Sequence, residues 1–217
     1  MTIRIKICGL TSAEDVDAAV EAGADAIGFV FYPPSPRYVS VETAAALIRR
    51  LPPFVLSVGL FVNAAPDEIA AALSSLPLNL LQFHGDESAG DCERWQRPYL
   101  KAARMKPGVD ARLIAAEFAT ARALLLDAFT ESYGGGGKTF DWTLIPADLS
   151  MPIVLSGGLT PENVGAAIRR VRPLGVDVSS GVEALTGRKD HRRIREFVAA
   201  ARAAEAAIAG MAVKTNV

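Results

Sequence analysis

The chain has 217 residues, a formal net charge of −1, 50% apolar residues and only two cysteines, Cys8 and Cys92. Such a composition supplies a sizeable core, argues against nucleic acid as the main partner in the absence of a basic tract, and leaves too few cysteines for a disulfide framework. No apolar run reaches the roughly 20 residues of a membrane span and the start of the chain lacks a secretory pattern, so the expectation is a soluble, cytoplasmic protein with no nucleic-acid and no membrane partner.

In chain order, short apolar runs alternate with helical patterns. The predicted strands are Arg4–Cys8, Ala26–Val30, Val55–Phe61, Leu80–His84, Leu100–Ala103, Ala123–Asp127, Pro152–Ser156 and Gly175–Ser179. After the first strand, Thr11-Ser12-Ala13-Glu14 reads as a capping box, followed by Val16, Ala19 and Val20 at helical spacing. Pro66-Asp67-Glu68 opens a helix with an apolar face of Ile69, Ala72, Leu73 and Leu76. Thr160-Pro161 places a cap and a first-turn proline before Val164, Ala167, Ile168 and Val171. A last helix begins near His191, and residues 205–217 are expected to form a frayed tail.

No proline- or serine-rich linker divides the chain, so residues 1–217 are expected to form one domain. Eight strand–helix units imply parallel pairing with right-handed crossovers, and the expected fold is α/β, a single (β/α)8 barrel; a doubly wound open sheet is the rival. Strand parity favours the barrel. Lys6 and Cys8 share one strand face, opposite Ile5 and Ile7; Gln82 and His84 oppose Leu81 and Phe83; Asp177 and Ser179 oppose Val176 and Val178. In a barrel the apolar face packs on helices and the polar face points inward, whereas strands of an open sheet are apolar on both faces.

Barrel sites lie on the loops that follow the strands. Cys8 and Asp127 each end a strand, a thiol and a carboxyl that can act as base and acid on one substrate; singly, each also reads as a buried small residue or a loop cap. Gly157-Gly158 after the seventh strand and Ser179-Ser180-Gly181 after the eighth form the expected phosphate site, where backbone N–H groups approach an anion closely. Gly134-Gly135-Gly136-Gly137-Lys138-Thr139 is not a P-loop, because Ser132 stands where its first glycine belongs, and reads instead as a loop closing over the phosphate. Arg37, stiffened by Pro33, Pro34 and Pro36, is placed to hold a second anionic group. Gln82 and Asp177, facing inward, complete the substrate-binding set with His84, which reads either as a substrate contact or as a satisfied structural histidine. Cys92 receives no role.

Taken in order, Lys6-Ile7-Cys8-Gly9-Leu10-Thr11, Ser35-Pro36-Arg37-Tyr38-Val39, Leu81-Gln82-Phe83-His84-Gly85, Gly135-Gly136-Gly137-Lys138-Thr139-Phe140-Asp141-Trp142, Leu155-Ser156-Gly157-Gly158-Leu159 and Val176-Asp177-Val178-Ser179-Ser180-Gly181-Val182-Glu183 closely resemble the phosphoribosylanthranilate isomerase family of tryptophan biosynthesis, over residues 3 to about 200. Gly136 departs from the threonine usual there, which removes a hydroxyl contact and leaves the backbone donors. The resemblance implies a (β/α)8 barrel without cofactor or metal. It implies an Amadori rearrangement of N-(5-phosphoribosyl)anthranilate to 1-(o-carboxyphenylamino)-1-deoxyribulose 5-phosphate, with Cys8 as general base, Asp127 as general acid and Arg37 on the anthranilate carboxylate. A free thiol titrates near ~8.5 and a free aspartate near ~3.9, so each prefers the wrong form at neutral pH. Lys6, on the face of Cys8, is expected to draw the thiol down. The rival functions are another phosphate-binding barrel enzyme, such as a sugar-phosphate epimerase or an indoleglycerol-phosphate synthase, and a non-catalytic sugar-phosphate sensor. The partner is a small phosphorylated substrate, and a monomer is expected, with a dimer as the alternative.

Overall fold

In the computed structural model, which describes residues 2–129 and 139–214, eight parallel strands close into a barrel in sequence order. They are β1 (Arg4–Cys8), β2 (Ala26–Val30), β3 (Leu56–Phe61), β4 (Leu80–Phe83), β5 (Tyr99–Met105), β6 (Ala123–Ala128), β7 (Ile153–Leu155) and β8 (Gly175–Val178). β8 pairs with β1 from Arg4 opposite Gly175 to Ile7 opposite Val178, which seals the barrel and excludes the open sheet.

The outer layer holds α1 (Ala13–Ala22), α2 (Val41–Ile48), α3 (Pro66–Ser75), α4 (Ala89–Glu93), α5 (Ala111–Glu117), α6 (Val164–Val171) and α7 (His191–Lys214). Between β6 and β7 the described residues carry only a 3-10 turn, Trp142–Leu144. After β8 come a 3-10 turn, Ser180–Val182, and a small hairpin of β9 (Glu183–Leu185) and β10 (Arg188–Lys189). No helix among the described residues is long and apolar enough to cross a membrane.

Two expected helix starts move. The cap of α1 is Ser12, whose side chain accepts from the Asp15 N–H at 3.2 Å, because the Thr11 hydroxyl is drawn away to donate to the Gly187 carbonyl. α6 begins only at Val164, since Thr160–Asn163 closes a turn of its own: the Thr160 N–H donates to Asn163 Oδ1 at 2.8 Å. At the other end of the chain α7 runs to Lys214, past the point where fraying was expected; alanine, which dominates that stretch, is the strongest helix former.

Strand alternation divides the interior as the sequence parity requires. Ile5, Ile7, Leu81, Phe83, Val176 and Val178 pack outward in one cluster with Val16 and Ala19 of α1, Val164 and Ile168 of α6, and Phe197 and Ala201 of α7. Lys6, Gln82 and Asp177 alternate with them and are buried polar groups. A separate cluster of Leu100, Ala102, Ala123 and Leu125 fills part of the barrel with apolar side chains. The polar end therefore rests on a packed apolar base.

Candidate active site

The loops at the carboxyl ends of the strands are drawn together by close backbone approaches. Gly157, at φ +78°, leaves no room for a side chain: a Cβ there would lie 2.9 Å from Asp127 Oδ1 and 2.3 Å from the Ala128 nitrogen. A Cβ on Gly181 would lie 1.8 Å from the Leu159 carbonyl, so the loop after β8 is pressed onto the loop after β7. A Cβ on Gly9, at φ +73°, would lie 2.8 Å from Arg37 Cδ and 3.2 Å from Ser179 Oγ. Asp127, Gly157, Gly181, Ser179, Cys8-Gly9 and Arg37 thus form one continuous rim. A cleft of about 320 Å³ beside it is lined by Gly158, Thr160, Ser180, Gly181, Glu183 and Arg193.

Cys8 sits opposite Gly28 of β2 in the strand register. A Cβ at Gly28 would be 2.7 Å from Cys8 Sγ and 3.0 Å from Lys6 Nζ, so the thiol and the ammonium converge on the space that this glycine leaves. Sequence reasoning passed over Gly28, although a glycine inside a strand is the usual sign of such an approach. The Lys6 ammonium donates to Asp177 Oδ1 at 2.8 Å, and Ser156 Oγ donates to Asp177 Oδ2 at 3.3 Å. Asp177, expected to bind substrate, is buried, and each of its oxygens accepts from one of these neighbours. Burial pushes the Cys8 thiol up from its ordinary value; the Lys6 charge pulls in the opposite direction, as expected, but burial prevails. Burial works to lower Lys6 as well, yet the Asp177 carboxylate and Cys8 hold its value above the ordinary one.

On the far side of the rim Asp127 lies at the end of β6. Its Oδ2 is 3.0 Å from His84 Nε2, and its Oδ1 accepts from the Ala128 N–H at 2.8 Å. His84 Nδ1 is in turn 2.9 Å from Gln82 Nε2. Gln82 is fully buried behind the imidazole, and its Oε1 has no hydrogen-bond partner among the described residues. Gln82 therefore reaches the rim through His84, and His84 through Asp127.

Arg37 is engaged side-on. Its Nε and Nη2 donate to the two oxygens of Glu183 at 2.7 and 2.8 Å. This pairing raises Arg37 above the usual guanidinium value; burial works to raise Glu183, but Arg37 and Lys189 bring it below the usual carboxylate range. Lys189 Nζ donates to Glu183 Oε1 at 2.9 Å, to the Ser179 carbonyl at 3.0 Å and to Ser179 Oγ at 3.3 Å. Glu183 entered the sequence reading only as the end of a motif and Lys189 not at all, because Arg37, the partner of Glu183, lies 146 residues away. Gly135, Gly136 and Gly137 of the expected closing loop lie outside the described residues.

Among the described residues no three of His, Cys, Asp and Glu converge as metal ligands. Lys101, the other strand lysine, does not enter the barrel: its ammonium donates to Glu87 and to the Gly85 carbonyl and lies 5.2 Å from the Phe118 ring centroid. It is thus poorly placed to serve as the internal lysine that a synthase would need.

The comparisons with known proteins agree with one another. Residues 5–200 match the family model described as N-(5'-phosphoribosyl)anthranilate (PRA) isomerase. The N-(5'-phosphoribosyl)anthranilate isomerase of Dechloromonas aromatica is 64% identical over 96% of this chain and 100% of its own. The crystal structure of phosphoribosyl anthranilate isomerase from Thermotoga maritima superposes with a TM-score of 0.86 at 47% identity, covering 93% of this chain and 100% of that one. A phosphoribosyl anthranilate isomerase solved in complex with reduced 1-(o-carboxyphenylamino)-1-deoxyribulose 5-phosphate has a TM-score of 0.83 at 43% identity, with coverage of 93% and 100%.

Proposed function

Because the chain belongs to the N-(5'-phosphoribosyl)anthranilate isomerase family and is an isomerase of tryptophan biosynthesis, we propose that Cys8 and Asp127 are the base and acid of its Amadori rearrangement. The reaction converts N-(5-phosphoribosyl)anthranilate to 1-(o-carboxyphenylamino)-1-deoxyribulose 5-phosphate. The observation that carries the assignment is the continuous rim on which a thiol and a carboxyl flank two glycine-bearing loops. The substrate is small and phosphorylated, as is the ligand of the relative solved with the reduced product.

The chemistry balances within the substrate. Asp127 gives its proton to the ribose ring oxygen; the C1–O bond breaks and its electrons leave with that oxygen, so C1 and the anthranilate nitrogen become an iminium ion. The Cys8 thiolate takes the proton from C2, and the electrons of that bond form a C1–C2 double bond and quench the iminium. The enolamine then gains a proton on C1 and loses the one on its C2 hydroxyl to become the ketone, and the same exchange returns a proton to Asp127 and removes the one held by Cys8, so that both groups regain their starting forms. Gly157, Gly158, Ser179, Ser180 and Gly181, with Gly135, Gly136 and Gly137, hold the phosphate, and Arg37 holds the carboxylate. Fixing both ends leaves the sugar with few ways to move between acid and base. Gln82 and His84 keep Asp127 aimed, and His84 with Asp127 can hold between them the proton that ring opening consumes. Asp177 acts beneath the substrate, by keeping Lys6 beside the thiol.

A base that must stay a free thiol suits a reducing compartment, which the cytoplasm supplies. We take the monomer as the catalytic unit. Alkylation tests the central role. Iodoacetamide is expected to abolish activity in step with modification of Cys8 and to be slowed by the reduced product. Full modification of Cys8 with activity retained would remove it as the base.

A further inference from the structure

We propose that Glu183 and Lys189 form a positioning unit that sets both the direction and the effective charge of Arg37 and ties this carboxylate clamp to the phosphate loop. The proposal rests on the reading of Arg37 as the group that holds the anthranilate carboxylate.

A guanidinium has five N–H donors in a fixed fork. Glu183 takes the side of that fork made by Nε and Nη2. The end made by Nη1 and the second Nη2 hydrogen is left for another carboxylate, which it fits by two parallel hydrogen bonds. Glu183 thus decides which edge of Arg37 meets the substrate. Alone, however, it would also cancel the charge that the substrate seeks, since an Arg–Glu pair is neutral. Lys189 restores it: its ammonium lies 2.9 Å from Glu183 Oε1, and two cations around one carboxylate leave a net charge of one. All three side chains are largely buried, with 11%, 5% and 0% of the Arg37, Glu183 and Lys189 side chains exposed. A unit of charge there is screened far less than at the surface. Three acceptors surround Lys189 Nζ, which a donor-only ammonium satisfies.

The hairpin is built to carry this unit. Lys189 is the cross-strand partner of Glu183. Its turn residue Gly187, at φ +80°, fits so closely under the arginine loop that a Cβ there would lie 2.6 Å from the Pro36 carbonyl. The Arg37 N–H is held by Ser35 Oγ at 3.1 Å, so the loop is fixed from both sides. Through Ser179, Lys189 also grips the first residue of the Ser179-Ser180-Gly181 segment. The clamps for the two anionic ends of the substrate therefore share one lysine.

The test uses two inert ligands: the reduced product, and the same compound made from aniline, which lacks the carboxylate. Their dissociation constants are measured for wild type, Arg37→Met, Glu183→Gln and Lys189→Met, each first shown to be folded by circular dichroism. Arg37→Met is expected to erase the preference for the carboxylate. Lys189→Met, which removes the restoring charge, is expected to shrink it by roughly tenfold, the worth of one charge-assisted hydrogen bond, and Glu183→Gln, where the added net charge and the lost aim act in opposite directions, to change it by less. A merely structural role would weaken both ligands alike and leave the preference intact; that result, with Arg37→Met behaving as expected, overturns the proposal and spares the Arg37 reading. A preference that survives Arg37→Met overturns both. Glu183→Asp, which keeps the charge and shortens the reach, serves if the glutamine variant does not fold, and is expected to lose the preference.

Discussion

The Cys8 thiol is under two opposing influences: burial raises it, and the ammonium of Lys6, two residues earlier on the same strand face, lowers it. The sign of the consequence follows. Only the thiolate abstracts a proton, so kcat/KM rises with pH as Cys8 ionises, and removing Lys6 moves that rise to higher pH. Lys6→Met is accordingly expected to be slow at neutral pH and to recover in alkaline solution; an unshifted profile would show that Lys6 does not act on the thiol. The single variant also strands Asp177 as a buried, unpaired charge, at a cost of about 3–5 kcal/mol. The double variant Lys6→Met/Asp177→Asn removes that cost and is expected to keep the displaced profile. At this scale the sequence was legible where a side chain's position follows from strand parity: Cys8, His84 and Asp127 all end or follow strands and face the same mouth. It was not legible where a role depends on a distant partner. Nothing near Asp177 in the chain shows that Lys6, 171 residues away, and Ser156 each hold one of its oxygens.

The elements show how the rim is held in place. β1 is held on one side by β2 and on the other by β8, and its outward isoleucines are covered by α1 and α7. Phe197, fully buried on α7, belongs to the same cluster as Ile5 and Ile7. Phe197→Ala is expected to cost about 3–5 kcal/mol in urea denaturation, as truncating a core aromatic does. A cost below about 1 kcal/mol would mean that α7 does not stabilise the strand bearing Cys8. The strands themselves were readable to within one or two residues at most ends, since each is a short apolar run bounded by turn residues. Helix starts were less so. Thr11 and Ser12 are both good caps, and which one serves is decided by the hairpin carbonyl of Gly187 far along the chain.

The whole molecule brings to one mouth groups spread over most of the chain, from Cys8 to Lys189, and a closed barrel is what makes that possible. The proposed monomeric catalytic unit has a measurable consequence: activity per chain is expected to stay constant on dilution through any association equilibrium seen by analytical ultracentrifugation. Activity that disappears with dissociation would place part of the site on a second copy. Alternation of strands and helices was enough to read the barrel from the sequence. The hairpin after β8 was not, because its strands have three and two residues and no periodicity to betray them.

The decay of anthranilate fluorescence from freshly made N-(5-phosphoribosyl)anthranilate, followed with wild type, Cys8→Ser and Asp127→Asn side by side, tests the central claim most directly. The account predicts rapid decay with wild type and a loss of about 10²–10⁴-fold in each variant, the usual worth of a positioned acid or base. A Cys8→Ser or Asp127→Asn enzyme that retains the wild-type rate would contradict it.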